Sequence, residues 1–333
     1  MKVKPQKIDY HDRTYIWEYN GDLSTMFRIE NKDNIQDKIP NFLTKYYSLT
    51  DFNVDAFLNN YIYAAHPKEL NDPFDSYSKL IDTSNINEKD IDFVEARLPV
   101  YINRDYILGN NGVNKDMFIE MFYDFIFEGT GIISMTDAKN QNPSLWANYT
   151  NNHRGFSITF KSESVKQIAM GPFKVDYIDT LEKLTYENKN FNALVLWLIS
   201  IKSKYWSTEE EWRFIGRGID KMYIPFQHYG REMDLKKQNR KLYLPENAIE
   251  NVTLGYFFFN YDNKMLNNRN QVVVDLNKEN DQELKIKLLN HIKNNNISLS
   301  MVFLNKKKLR FDSVALTYNF IKDSNTFIFD NPK

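Results

Sequence analysis

A chain of 333 residues, 42% hydrophobic and 15% aromatic, can bury a substantial core as one large domain or two ordinary ones. With 43 Lys and Arg against 44 Asp and Glu, the formal charge of −1 argues against a protein held to nucleic acid by bulk charge. The absence of Cys excludes a disulfide framework, a thiolate nucleophile and Cys-ligated zinc, and 24 Phe and 21 Tyr beside only 11 Gly argue against disorder.

Residues 1–40, rich in Asp, Asn and Lys, read as a variable lead-in, and residues 41–333 as a single domain, since no Pro/Gly/Ser-rich seam divides them. The first residues, MKVKPQKIDYHDRTYIWEY, carry positive charge with no apolar run behind it, which does not fit a signal peptide. Phe52–Asn60 reads as a short helix with Asp51 as its cap, followed by a strand over Tyr61–Ala65. Asp116–Phe127 reads as a strongly apolar helix, and Ile132–Met135 as a buried strand. Asn142 and Pro143 make an N-cap and first helical position for Ser144–Tyr149. Phe156–Phe160 alternates as a half-buried strand should, after a turn at Gly155.

A second helix is expected over about Phe191–Tyr205, leading into a strand over Glu209–Ile215. Its apolar run, Ala193–Ile199 with Ile201, falls far short of the ~20 residues of a membrane span, so a cytoplasmic protein without membrane contact is expected. Lys241–Leu244 and Val252–Gly255 look like strands, Asp281–Asn294 like an amphipathic helix, and Ile297–Phe303 with Leu309–Val314 like a terminal hairpin. Strands and helices interleave irregularly and no GxGxxG occurs, so the expected fold is α+β, with a central mixed or antiparallel sheet flanked by helices, rather than a Rossmann fold.

Three segments carry candidate chemistry. In Tyr61-Ile-Tyr-Ala-Ala-His66-Pro-Lys-Glu-Leu-Asn71-Asp72-Pro73-Phe74-Asp75, Asn71 and Asp72 can lock a tight turn, while His66 and Asp75 could point into a cleft. In Trp146-Ala-Asn-Tyr149-Thr-Asn-Asn-His153-Arg-Gly155, Trp146 and Tyr149 share a helical face. They are either core or a stacking wall for a planar ligand, and His153 lies in the loop beyond. In Lys202-Ser-Lys-Tyr-Trp206-Ser-Thr-Glu209-Glu-Glu211-Trp212-Arg213, a strand would put Glu209, Glu211 and Arg213 on one face and Trp212 with Phe214 on the other. The alternative is a solvated salt-bridge ladder.

These three segments, in this order, resemble the bacterial DUF2971 family, a domain of unknown function. A weaker fourth match runs from Leu244-Pro245 to Val252-Thr-Leu-Gly255. The layout is also similar in outline to ADP-ribosyltransferases. That resemblance implies an enzyme using NAD as substrate, a toxin or anti-phage effector acting on a protein or nucleic-acid target. Glu211 would stabilise the oxocarbenium-like state, Glu209 would orient the acceptor, and Trp146 or Tyr149 would stack on a ring. The catalytic set expected is thus Glu211, Glu209 and His66. Asn71, Asp72, Asp75, Trp146, Tyr149, His153 and Arg213 would bind a nucleotide-like ligand.

Two alternatives stay open. One is a metal-dependent nuclease or phosphoesterase using Asp72, Asp75, Glu209 and Glu211, with Lys202 or Lys204 on a phosphate, although Arg213 is a poor base. The other is a non-catalytic module that senses a nucleotide or a partner. Basic runs at Lys236–Lys241 and Lys306–Arg310 are compatible with nucleic acid but read first as solvated loops. The five His, at 11, 66, 153, 228 and 291, show no zinc-like spacing, so no structural metal is expected.

Overall fold

Short runs of β-branched and aromatic residues dominate the chain, and in a computed structural model they form strands through most of its length. The structure describes residues 5–19, 25–33, 35–95, 107, 114–139, 142–180, 182–216, 240–305, 307–308 and 310–330. Its first half runs β1 (Gln6–Tyr10), β2 (Arg13–Tyr19), β3 (Thr25–Asn31), β4 (Phe42–Tyr47), α1 (Asp51–Leu58), β5 (Tyr61–Tyr63), β6 (Ile81–Asp82), α2 (Glu88–Glu95), α3 (Lys115–Gly129), β7 (Ile132–Asp137), α4 (Pro143–Tyr149) and β8 (Phe156–Lys161). Next come α5 (Ser162–Val165), β9 (Ala169–Lys174), β10 (Asp176–Ile178), β11 (Leu184–Thr185), α6 (Phe191–Ser200), β12 (Ile201–Ser203), β13 (Glu211–Gly216), β14 (Lys241–Tyr243) and β15 (Ile249–Leu254). The last elements are β16 (Lys264–Leu266), β17 (Gln271–Asp275), α7 (Gln282–Asn294), β18 (Ser298–Asn305), β19 (Arg310–Ala315), β20 (Tyr318–Ile321) and β21 (Thr326–Asp330).

Eight strands form the central sheet in the order β19-β18-β15-β8-β4-β7-β13-β9, and only the β15–β18 pair is parallel. The fold is therefore the mixed α+β arrangement that the interleaved pattern predicts. Each face of the sheet covers its own core. Trp212 and Phe214 join Leu43, Ile133, Phe156 and the apolar side of α7 on one face. Ile215 and Ile132 join Phe118 and Tyr123 of α3 and Trp197 of α6 on the other. A fully buried side chain of this size contributes roughly 1.5–3 kcal/mol. The alternation expected along β13 is thus real for its apolar members.

Several expected boundaries move. Helix α1 begins at Asp51 itself, because Thr50 is the N-cap and its side chain accepts from the Asn53 N–H. Helix α6 stops at Ser200, whose hydroxyl bonds back to the Leu196 and Trp197 carbonyls. Beyond it Lys202 lies in β12, paired in parallel with β10. Strand β13 starts at Glu211, not Glu209, since Lys204–Glu209 is a 3₁₀ helix closed by Glu210 in the left-handed conformation at φ 46°. The β18–β19 hairpin forms as expected but is not terminal, because β20 and β21 return to pair with β17. Within residues 1–40, β1, β2 and β3 form a sheet tied to the body where the Tyr15 hydroxyl donates to Asp176 at 3.0 Å. Of the two basic runs, residues 236–239, 306 and 309 lie outside the described residues. Among the described residues no helix is long and apolar enough to cross a membrane.

One irregularity of the sheet positions the site. Strand β4 pairs with β8 along its whole length, from Phe42 to Tyr47, but with β7 only at Leu43–Asp137 and Thr44–Thr136. From there the two central strands part. Strand β7 stays paired with β13, and Ala65 exchanges two backbone hydrogen bonds with Ile132 at 2.8 Å each. Buried backbone groups must find partners, so a strand that loses one neighbour must acquire another. The wedge between β4 and β7 opens as a cleft.

Candidate functional site

The cleft has a volume of about 190 Å³ and draws on all three motif segments. Asn71 and Asp75 come from the loop after β5, Tyr149 from the end of α4, and Lys202, Glu209, Glu211 and Arg213 from the β12–β13 segment. Helix α4 is held at its start by Asn142, which accepts from the Ser144 N–H at 2.8 Å and donates to the Thr208 carbonyl at 2.6 Å. That second bond ties the helix carrying Tyr149 to the 3₁₀ turn carrying Glu209.

Arg213 anchors the floor and is fully buried. A guanidinium has five N–H donors, and all five are used. Nε donates to Glu211 Oε1 at 2.7 Å, and Nη1 to Asp75 Oδ1 at 2.8 Å and to the Ile199 carbonyl at 2.6 Å. Nη2 donates to Glu211 Oε2 at 3.1 Å and closes a fork on Asp75 through Oδ2. Beside it, Lys202 Nζ donates to Glu209 Oε2 at 2.7 Å and to Glu211 Oε2 at 3.1 Å, with its ammonium 4.9 Å from the Trp206 ring centroid. This is a buried network rather than a solvated ladder.

The two glutamates differ in what they have left to give. An ionised carboxylate offers about four lone-pair sites. Glu211 receives two N–H groups from Arg213, one from Lys202 and the Ser134 hydroxyl, so it is saturated. Burial pushes its carboxyl up, but Arg213 and Lys202 prevail and hold it down at about 2. Glu209 accepts only from Lys202 and from the Tyr149 hydroxyl at 2.7 Å among the described residues, and keeps acceptor capacity facing the cleft. The Tyr149 hydroxyl in turn accepts from Asn71 at 2.9 Å. Burial and the Glu209 charge push the Tyr149 phenol well above its ordinary value, so it is a donor throughout the physiological range. Burial opposes the charge on Lys202 too, yet Glu211 and Glu209 hold its pKa above the usual value.

Four expected site residues lie elsewhere. His66 caps the 3₁₀ turn that follows it: its Nδ1 accepts from the Lys68 N–H at 3.0 Å, and its own N–H donates to Glu69 at 3.1 Å. Asp72 is buried in its loop, accepting from the Phe74 N–H at 2.9 Å, and lines a second cavity rather than the cleft. Trp146 is fully buried, edge-on to Tyr46 with centroids 5.0 Å apart, so the stacking wall reduces to Tyr149 while its helical neighbour is core. His153 completes a run of three left-handed residues from Asn151, and its ring packs on Phe311 at 4.8 Å. Gly155 follows because a Cβ there would sit 2.0 Å from the Tyr47 carbonyl oxygen.

Among the lining residues that escaped the sequence reading are Lys45 and Tyr46 of β4. Lys45 is half-buried and donates to the Ser134 carbonyl at 3.4 Å. Nothing in the local sequence marks it, since only the parting of β4 from β7 brings it to the cleft. Among the described residues no group of three or more His, Asp and Glu is disposed to hold a metal ion.

Residues 145–214, from α4 through β13, match the family described as a protein of unknown function, DUF2971. No curated protein and no solved structure is detectably similar to the chain.

Proposed function

We propose that the cleft is the active site of an enzyme that takes NAD as substrate and transfers its ADP-ribosyl unit. The observation that carries this reading is the pairing of a saturated, firmly ionised Glu211 with a neighbouring Glu209 that keeps open acceptor sites. In such a transfer the bond between the ribose carbon and the nicotinamide nitrogen breaks, and its electron pair leaves with nicotinamide. Positive charge grows on the ribose, and fixed negative charge in a site closed to water stabilises it without reorganisation. The acceptor's lone pair then forms the new bond and its proton passes to water or to Glu209.

Glu209 is the carboxylate that can take ribose hydroxyls, with Lys202 and Tyr149 holding it in place. Glu211 is a positioning residue, keeping Lys202 and Arg213 where Glu209 needs them. Tyr149 and Tyr46 both line the cleft. A volume of about 190 Å³ is below the ~300–1,000 Å³ of sites for whole drug-sized ligands, so the reacting end of NAD would enter and the rest would lie outside. The metal-dependent alternative gains little from this donor set, because Asp75 and Glu211 are already matched by Arg213 and Lys202.

The test is nicotinamide release from NAD, with and without cell lysate as a source of protein or nucleic-acid acceptor. Glu209→Gln and Tyr149→Phe should each lower release by about 10²-fold or more, the scale of losing one preorganised group at a developing charge. NAD binding without release would make the chain a sensing module. Neither binding nor release would reject the reading.

A further inference from the structure

We propose that the cleft takes its ligand by an oxyanion group, a phosphate or a carboxylate, with the Lys45 ammonium as its counter-ion. The inference rests on reading the cleft as a ligand site, and not on which reaction occurs there.

The argument is one of unmatched charge. Of the three cations that line the cleft, Arg213 is paired with Asp75 and Glu211, and Lys202 with Glu209 and Glu211. Lys45 is paired with no carboxylate among the described residues. Its one acceptor among the described residues is the Ser134 carbonyl at 3.4 Å, a long contact, and the Tyr47 ring centroid lies 5.8 Å away. Glu211 acts on it through space, but the acceptor sites of Glu211 are already filled by Arg213, Lys202 and Ser134. An ammonium has three N–H donors, so two remain.

A cation drawn partly out of water without a counter-ion is costly, and an anion entering the cleft would offset that cost. Burial lowers the Lys45 pKa to about 8, against the pull of Glu211, so the ammonium form predominates at neutral pH. Placement supports the same conclusion. Lys45 is the first residue of β4 beyond its pairing with β7, where the wedge begins, while the Glu209–Tyr149 pair is supplied from α4 and the β12–β13 segment. A ligand with hydroxyls at one end and an oxyanion at the other would match both.

The experiment is calorimetric titration of the full chain with inorganic pyrophosphate, AMP, glutarate and uncharged adenosine. The wild type should bind at least one of the three oxyanion probes at millimolar concentration or better and adenosine more weakly. The oxyanion that binds tells phosphate from carboxylate. Lys45→Met should weaken that binding about tenfold or more, as expected for one hydrogen bond to a charged group, and Lys45→Arg should restore most of it. Urea unfolding of each variant checks that the fold is retained, with Lys45→Gln as a substitute if the Met variant does not fold. Equal binding by wild type and Lys45→Met, or no binding of any oxyanion probe, would overturn the proposal. NAD cleavage undiminished in Lys45→Met would remove the anion site while sparing the transferase reading. Lys45-dependent binding of pyrophosphate or glutarate without NAD cleavage would do the reverse.

Discussion

Replacing Glu211 with Gln keeps the shape of the side chain and removes its charge, which makes it the most informative single change at the floor of the cleft. Arg213 would keep its fork on Asp75, but Nε and one Nη2 hydrogen would face a neutral amide, and Lys202 would keep only Glu209. Holding the Glu211 carboxyl at about 2, against an ordinary 4.5, corresponds to roughly 3 kcal/mol in favour of its charged form. Breaking a buried ion pair by removing one partner costs about 3–5 kcal/mol, so two independent arguments agree on the scale. We expect Glu211→Gln to be destabilised by about 3 kcal/mol. Urea unfolding followed by tryptophan fluorescence would show it as a lowered midpoint at unchanged slope. Glu209→Gln should cost distinctly less, because Lys202 keeps Glu211 and Tyr149 can still donate to the amide oxygen. A Glu211→Gln protein within about 0.5 kcal/mol of wild type, the range of ordinary surface changes, would refute the view of Glu211 as a buried strut.

Acid should expose the same group. The folded Glu211 carboxyl titrates below its unfolded value, so its contribution is complete above pH 4.5 and is lost as pH falls toward about 2, which an acid series of urea midpoints would trace. Asp75→Asn combined with Glu211→Gln should be non-additive, by about 0.5–3 kcal/mol, since both act on Arg213. Gly155→Ala should destabilise by about 1–3 kcal/mol or more, because its Cβ would meet the Tyr47 carbonyl oxygen at 2.0 Å and backbone must move. His66→Ala should cost about 1 kcal/mol for a lost cap and leave ligand binding intact, whereas a large loss of binding at unchanged stability would return His66 to the site.

What was legible in the sequence was local. Asn142-Pro143 marked the start of α4, the Phe156–Phe160 alternation marked β8, and Trp212 and Phe214 faced a core as their spacing required. Residues from all three motif segments line one cleft. Much else was decided beyond the reach of local pattern. Trp146 and Tyr149 share a helical face in sequence, yet one is sealed against Tyr46 and the other opens on the cleft. Glu209 reached the site through a 3₁₀ turn and a left-handed Glu210 rather than by strand alternation, a choice no two-residue period encodes. Lys45 is an unremarked lysine in a strand of its own. It becomes part of the site only because β4 stays with β8 while β7 follows β13. The sequence sets which face of each element is apolar. Where neighbouring strands part, and which charge is left there without a partner, depends on pairings between segments far apart in the chain.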